Sequence, residues 1–295
     1  LIKSSRANDA GPKPGRLKFS FFPGCSLKTS GHENTLSLLK FCESVNIDLI
    51  ELENWNCCGS SSAHSIDKTV AKYLPMRNLS LAPKGIPLLI ACPSCLLRLK
   101  STYLKIKADP ALRQDYEDFF ETPFDEDLEI IHFFEIFNRI DLKDHMENPG
   151  EKLKHIKVAP YYGCMLSMPP DLRFEKSHAG IIEKSLTQLG ADIVSYGYAN
   201  RCCGTYLSVA KPDIARKVVN EIIFKAMEAG AECLVTACAM CHLNLEIRCT
   251  LDAPIPILHF SELLSLAQGI KDQKKWFPRH IVDPVPLLKK RGLLI

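Results

Sequence analysis

The chain has 295 residues, 46% of them hydrophobic, with 37 lysines and arginines against 34 aspartates and glutamates and a formal net charge of +3. That length suits one large domain or two smaller ones, and a mean hydropathy near zero leaves enough apolar residues for ordinary cores. The charge is too small, and too free of aromatic-interleaved basic stripes, for nucleic acid to be a partner, and no apolar run approaches the roughly 18 residues of a membrane span.

Residues 1–16 read as a flexible arm, polar at first and without the apolar stretch of a signal peptide, so a cytoplasmic protein is expected. Apolar runs then alternate with helical periodicity. Leu17–Phe22 is a strand, Asn34–Ser44 a helix, Ile47–Leu52 a strand, Ile66–Leu81 a helix and Pro87–Ala91 a short buried strand, after which a helix runs from Ser94 to Leu104. The second half repeats the order: strand Ile156–Tyr161, helix Ser177–Leu189, strand Asp192–Tyr196, helix Asp213–Ala229 capped by Asp213, and strand Glu232–Ala237. Ile130-Ile131-His132-Phe133-Phe134-Glu135 is paralleled by Ile257-Leu258-His259-Phe260-Ser261-Glu262. The first half carries extra acidic sequence over Lys105–Asp127, which reads as a solvated helical element. The tail from Phe277 to Lys290 is proline-spaced and reads as extended, laid against the body or a partner. Strands alternating with helices predict an α/β fold of two pseudo-symmetric Rossmann-like modules with mostly parallel sheets.

Ten of the 13 cysteines form one pattern written twice. Cys25, Cys57-Cys58 and Cys92-x-x-Cys95 are matched by Cys164, Cys202-Cys203 and Cys238-x-x-Cys241. Gly59 and Gly204 follow the pairs, and Gly24 and Gly163 precede the lone cysteines. Nearly every expected strand runs into a cysteine at its carboxyl end, where ligands gather in open parallel sheets. Clustered thiols in a chain without an export signal point to metal or redox chemistry more than to disulfides, and the odd total argues against a disulfide scaffold. Soft thiolates suit iron–sulfur clusters or zinc. A structural zinc site closes with four ligands, and five in each copy favour a redox centre; a zinc-stabilised scaffold is the alternative. The ferredoxin spacing is absent, so electrons must pass through a partner.

These motifs resemble the cysteine-rich (CCG) domain, and a tandem of two resembles the B-subunit family of heterodisulfide reductase, over about residues 17–295. The context Trp55-Asn56-Cys57-Cys58-Gly59-Ser60-Ser61-Ser62-Ala63-His64 is closer to bacterial-type members, among them sulfur-oxidation complexes and the quinone-contacting subunit of a non-classical succinate dehydrogenase. The resemblance implies a first CCG domain at 17–150 and a second, with the tail, at 151–295. It implies two non-cubane [4Fe-4S] clusters, one on Cys25, Cys57, Cys58, Cys92 and Cys95 and one on Cys164, Cys202, Cys203, Cys238 and Cys241. It also implies an oxidoreductase acting on sulfur groups, which reduces a disulfide between the clusters or oxidises thiols in reverse, with the substrate free or carried on a protein. Its partners would be a ferredoxin-like iron–sulfur subunit of the C type and a flavin-containing subunit. Any association with the inner face of the membrane would be through partners. Helix N-termini and backbone N–H groups should offset the thiolate charge.

No catalytic residue is assigned outside the clusters. His64 is a weak candidate proton donor, and His242, next to Cys241, a weak candidate for a hydrogen bond to cluster sulfur. Arg201 and Lys211 are candidates for binding an anionic substrate or balancing thiolate charge. Trp55 is expected to pack beside the first cluster, His132 and His259 to be structural, and Cys42, Cys233 and Cys249 to be buried free thiols.

Overall fold

The structure, a computed structural model, describes residues 16–60, 63–167 and 180–294. Nearly all of the expected arm, and the start of the helix expected at Ser177–Leu189, lie outside the described residues. Within them, β1 (Leu17–Phe22), β2 (Ile47–Glu51), β3 (Leu88–Ile90) and β4 (Ile130–His132) form one parallel sheet of order β2-β1-β3-β4. The second sheet, β6-β5-β7-β8, is built in the same order from β5 (Lys157–Tyr161), β6 (Asp192–Ile193), β7 (Cys233–Thr236) and β8 (Ile257–His259). Register follows suit: Leu17 pairs with Ile47 and Ser20 with Leu88, while Lys157 pairs with Asp192 and Val158 with Cys233. Leu88–Ile90 and Cys233–Thr236 are buried throughout, as strands covered by helices on both faces must be.

In chain order the helices are α1 (Gly24–Lys28), α2 (His32–Ser44), α3 (Ala63–Ile66), α4 (Lys68–Ser80), α5 (Pro93–Ala108), α6 (Pro110–Phe120), α7 (Gly163–Ser167), α8 (Ile181–Gln188), α9 (Pro212–Glu228), α10 (Ala239–Arg248), α11 (Phe260–Ala267) and α12 (Val285–Lys290). Several expected elements change. The single helix at Ile66–Leu81 breaks at Asp67, whose carboxylate accepts from the Val70 N–H at 2.8 Å and starts α4 afresh. Asp213 does not cap α9. Lys211 occupies that position, Pro212 starts the helix, and Asp213 pairs with Arg216 at 3.2 Å. The strand expected at Asp192–Tyr196 shortens to Asp192–Ile193 at the sheet edge. The acidic insert is helical, started by Asp109, but it is not merely a solvated surface: Tyr116 is 2% exposed and packs edge-on against Phe124. The tail is not extended. It makes a 3-10 turn at Phe277–Arg279 and then α12, burying Trp276, Phe277 and Leu288.

After β4 and β8 the histidines begin the next turn in the same way. The Glu135 carboxylate accepts from the His132 N–H at 2.7 Å, and that of Glu262 from the His259 N–H at 2.8 Å. The elements they start, a 3-10 helix at Phe133–Asn138 and α11, join the two modules. Phe134 meets Phe260 edge to face with centroids 4.5 Å apart, and Phe133 and Phe137 pack on the same ring. Beside them α2 lies on α11 through small hydroxyls: Ser37 Oγ is 2.6 Å from Ser261 Oγ, and Ser265 donates to the Ser37 carbonyl at 2.7 Å. The largest hydrophobic core is therefore continuous across both sheets. Truncating Phe260 to alanine should cost about 3–5 kcal/mol in urea unfolding, with both sheets unfolding together, whereas Val209→Ala, 92% exposed, should stay within about 0.5 kcal/mol. Equal effects would rule out the shared joint.

Candidate metal centre

Because all strands are parallel, the carboxyl ends of three neighbours in each sheet open on one edge. β1 ends two residues before Gly24-Cys25, β2 leads into the Cys57-Cys58 loop, and β3 runs straight into Cys92. β5, β6 and β7 do the same for Cys164, Cys202-Cys203 and Cys238. Cys92 and Cys238 are the N-caps of α5 and α10, so the C-x-x-C spacing sets the second thiol one turn further along the same helix end.

The fold gathers each set of five. Cys25 Sγ is 3.7 Å from Cys57 Sγ, and Cys58 Sγ is 3.2 Å from Cys95 Sγ. In the second module Cys203 Sγ is 3.4 Å from Cys241 Sγ, and Cys164 and Cys202 are close enough to shift each other's ionisation. The two sets also adjoin: Cys92 and Cys238 influence each other's ionisation across the interface between the modules, Cys92 lowered and Cys238 raised by the other. Access is uneven. Cys25 is exposed and Cys57, Cys164, Cys202 and Cys241 are half-buried, while Cys58, Cys92, Cys95, Cys203 and Cys238 are buried.

Electrostatics favours thiolates at chosen positions. Hydrogen bonds from Cys57 and Cys95 hold Cys58 down to about 4, and a bond from Cys164 holds Cys202 down to about 6. Cys92 is lowered by Cys238 and Cys95, with the N–H groups of Ser94 and Cys95 at the head of α5 adding to the effect. The donating partners Cys57, Cys95 and Cys164 are pushed up. The Gly204 N–H donates to Cys202 Sγ at 3.3 Å. Backbone N–H groups and helix N-termini thus face the sulfurs, as the thiolate load requires.

The donor set fits a soft metal centre in two further respects. Thiolate is the ligating form, and the glycines leave room for it. A Cβ on Gly24 would lie 3.0 Å from Cys95 Sγ, and one on Gly163 would lie 3.3 Å from Cys241 Sγ. Both glycines have positive φ, which L side chains resist.

The candidates beyond the ten cysteines scatter. His64 is exposed on α3. His242 is buried, and its ring faces Asn34, with Nδ1 3.1 Å from Asn34 Nδ2, and Glu246, with Nε2 3.8 Å from Oε1. Arg201 pairs with Glu221 at 3.1 Å and lies over the Tyr198 ring, and Lys211 is exposed ahead of α9. Trp55 meets Phe22 edge to face at 5.5 Å and donates to Glu51 at 2.9 Å. Cys42 and Cys233 are buried thiols whose pKa burial raises; Cys249 is half-buried and raised for the same reason.

Sequence reasoning missed the asparagines that hold the pair loops. Asn78, on α4, donates to the Asn56 carbonyl and accepts from its N–H, both at 2.9 Å, while the Asn56 amide donates to the Cys57 carbonyl at 2.8 Å. Asn244, on α10, donates to the Cys203 carbonyl at 2.8 Å. An asparagine on the apolar face of a helix was the available signal, since a buried amide needs partners.

The family model of the cysteine-rich CCG domain matches residues 19–100 and again 158–246. The chain belongs to that family and carries the domain twice. It is 31% identical over 286 residues to the 8-methylmenaquinol:fumarate reductase membrane anchor subunit of Wolinella succinogenes, covering 92% of this chain and 99% of that protein. It is 26% identical over 297 residues to the B subunit of the ferredoxin/F420H2-dependent CoB-CoM heterodisulfide reductase of Methanosarcina acetivorans, covering 92% and 96%. A crystal structure of a hypothetical protein from Helicobacter pylori shares the fold, with a TM-score of 0.70 and 13% identity over 92% of this chain and 52% of that one. No helix among the described residues is long and apolar enough to cross a membrane.

Substituting alanine at Gly24 or Gly163 should halve the iron and sulfide that the chain takes up on anaerobic reconstitution. Gly85→Ala provides the control: its φ is also positive, but its Cβ would meet nothing within 4 Å, so it should lose about 1–2 kcal/mol of stability and no iron. Full iron in both cysteine-side variants would show that the space beside the sulfurs is not used.

Proposed function

We propose that the chain is the catalytic iron–sulfur subunit of a heterodisulfide reductase-like complex. One non-cubane [4Fe-4S] cluster would be held by Cys25, Cys57, Cys58, Cys92 and Cys95, and a second by Cys164, Cys202, Cys203, Cys238 and Cys241. The observation that carries this reading is the closeness of buried Cys92 and Cys238, near enough to shift each other's ionisation, which supports two groups of five thiols lying side by side between the modules. The family and the relatives, themselves subunits of reductase complexes, support an iron–sulfur oxidoreductase subunit in a multi-subunit assembly.

Reducing a disulfide to two thiols takes two electrons and two protons. When bound, iron–sulfur clusters supply one-electron transfer and a soft site where iron accepts a thiolate. The chain's own residues bind and arrange the rest. The capping positions of Cys92 and Cys238 and the backbone N–H groups around them hold the deepest thiolates. The exposed or half-buried Cys25, Cys57, Cys164, Cys202 and Cys241 mark the side from which a disulfide, a protein-carried thiol or a partner approaches. Electrons would arrive from a ferredoxin-like iron–sulfur subunit and, beyond it, a flavin-containing one.

A second reading, contact with a quinone in a succinate dehydrogenase-like complex, is favoured by the Wolinella relative and by a surface feature. The stretch after each Cys-Cys pair leaves large apolar side chains in solvent: Ile66 is 79% and Val70 46% exposed, and Tyr206 is 73% and Val209 92% exposed.

Anaerobically purified protein should contain about eight irons and as many acid-labile sulfides per chain; two zincs and no sulfide would end both readings. Under oxidising conditions, a low-molecular-weight thiol should generate a new low-temperature EPR signal, broadened when the thiol sulfur carries a nuclear spin. A spectrum that ignores thiols and responds to a menaquinol analogue would replace disulfide chemistry with the second reading.

A further inference from the structure

Outside the cysteine sets, the densest group of ligating side chains lies where α10, α11 and the tail meet. His242 and Glu246 come from α10, Glu262 from α11 and His280 from the turn after Phe277–Arg279. All four side chains are buried, at 4% exposure or less. His280 Nε2 is 3.0 Å from Glu262 Oε1, His280 Nδ1 is 3.3 Å from Glu246 Oε1, and His242 Nε2 is 3.8 Å from that same Glu246 oxygen. Those last three atoms, His242 Nε2, His280 Nδ1 and Glu246 Oε1, are shielded from solvent and make no hydrogen bond. A buried polar atom left unpaired costs about 1–3 kcal/mol, and a cation beside Glu246 Oε1 would pair all three.

Charge and tautomers point to what that partner is. Two buried carboxylates lie against these imidazoles, and a dication between neutral imidazoles balances both. The surroundings attract a cation: the His280 ring lies between two carboxylates, 3.3 Å from Glu246 and 3.0 Å from Glu262. In the neutral tautomer whose Nε2–H donates to Glu262, the Nδ1 lone pair is directed at Glu246. Glu262 is itself fixed by the His259 N–H, and Glu246 Oε2 accepts from the Ile281 N–H at 3.2 Å. On the far side, His242 Nδ1 faces the Asn34 amide, whose Oδ1 has no partner. A half-turn of that amide lets Oδ1 accept from Nδ1–H and frees the Nε2 lone pair. A carboxylate or amide oxygen behind each imidazole is the outer arrangement of histidine–metal sites.

We propose that His242 Nε2, His280 Nδ1 and Glu246 bind one zinc ion, with Glu262 and Asn34 holding the two imidazoles in their ligating orientation. Nitrogen and oxygen donors without a thiol set this site apart from the cysteine sets, and zinc suits them. Glu262 also belongs to the group: ligand atoms of His242, His280 and Glu262, one from each, lie within 4.8 Å of one another. The ion pins the tail to α10 and α11 and, through Asn34, fastens the second module to α2 of the first. The proposal is independent of the chemistry at the cysteines.

The test uses the full chain with its iron and sulfide in place, given one equivalent of Zn2+ and desalted. One zinc should remain per chain, and its X-ray absorption should show nitrogen and oxygen neighbours at about 2.0–2.1 Å and no sulfur shell at about 2.3 Å. His280→Gln and Glu246→Gln should weaken zinc binding at least a hundredfold, and Glu262→Gln, an outer residue, about 10–100-fold, with iron content unchanged. Because these variants can unfold the tail, Co2+ bound to the unaltered chain gives a second measurement: visible ligand-field bands without thiolate-to-cobalt charge transfer are expected. Loss of all zinc on desalting, a sulfur shell, a charge-transfer band, or wild-type zinc affinity in a folded His280→Gln chain would each overturn the proposal.

Discussion

Thiolates packed a few ångströms apart repel one another, and the cysteine rims of both modules depend on relieving that repulsion. Protons are shared within each set: Cys58 is held down by donation from Cys57 and Cys95, and Cys202 by donation from Cys164. Peptide N–H groups supply the remainder, from the head of α5 to Cys92 and from Gly204 to Cys202. A thiolate at a helix N-terminus gains from both the free N–H groups and the helix dipole. This explains why a helix follows immediately after each C-x-x-C cysteine that ends a buried strand, and why glycine precedes each lone cysteine.

The duplication brings the two rims together by an asymmetric use of equivalent parts. Both modules close with the same Ile-x-His strand and the same glutamate reaching back to the histidine N–H. The first then forms a 3-10 helix, the second an α-helix, and the phenylalanines they present interlock as Phe134 and Phe260. Where α1 and α2 of the first module turn toward α10 of the second, the chain has Gly31. A Cβ there would stand 2.9 Å from that of Ala239, the residue after Cys238. Small residues and serine hydroxyls at this seam permit the approach that brings Cys92 near Cys238. The tail then closes the seam from outside, with Arg279 3.6 Å from Glu33 of α2 and His280 between Glu246 and Glu262.

Much of this was legible in the residues. Leu17–Phe22 was readable as a strand to its last residue, because an apolar run ended by Pro23-Gly24 has one reading. Elements set by long-range contacts were not. Asp192–Tyr196 has the composition of a longer strand, yet only Asp192 and Ile193 find a ladder partner on β5. The tail looks extended from its prolines, but Pro284 stands just ahead of α12 and Pro286 within its first turn, where a missing N–H costs nothing, and Leu288 inserts into the core. His242 stands next to a cysteine in the chain, but a helix turns adjacent residues about 100° apart, so its ring joins Asn34 and Glu246 instead.

By itself the sequence determined the duplicated α/β order and the repeated spacing of ten of its thirteen cysteines, because strand and helix periodicity and cysteine spacing are local properties of the chain. Only the tertiary structure decided that the two sets adjoin through Cys92 and Cys238, that the acidic insert buries Tyr116, and that His242, Glu246, Glu262 and His280 share one buried pocket. Those outcomes depend on side chains far apart in sequence meeting across the seam, and no local pattern records which faces will be pressed together.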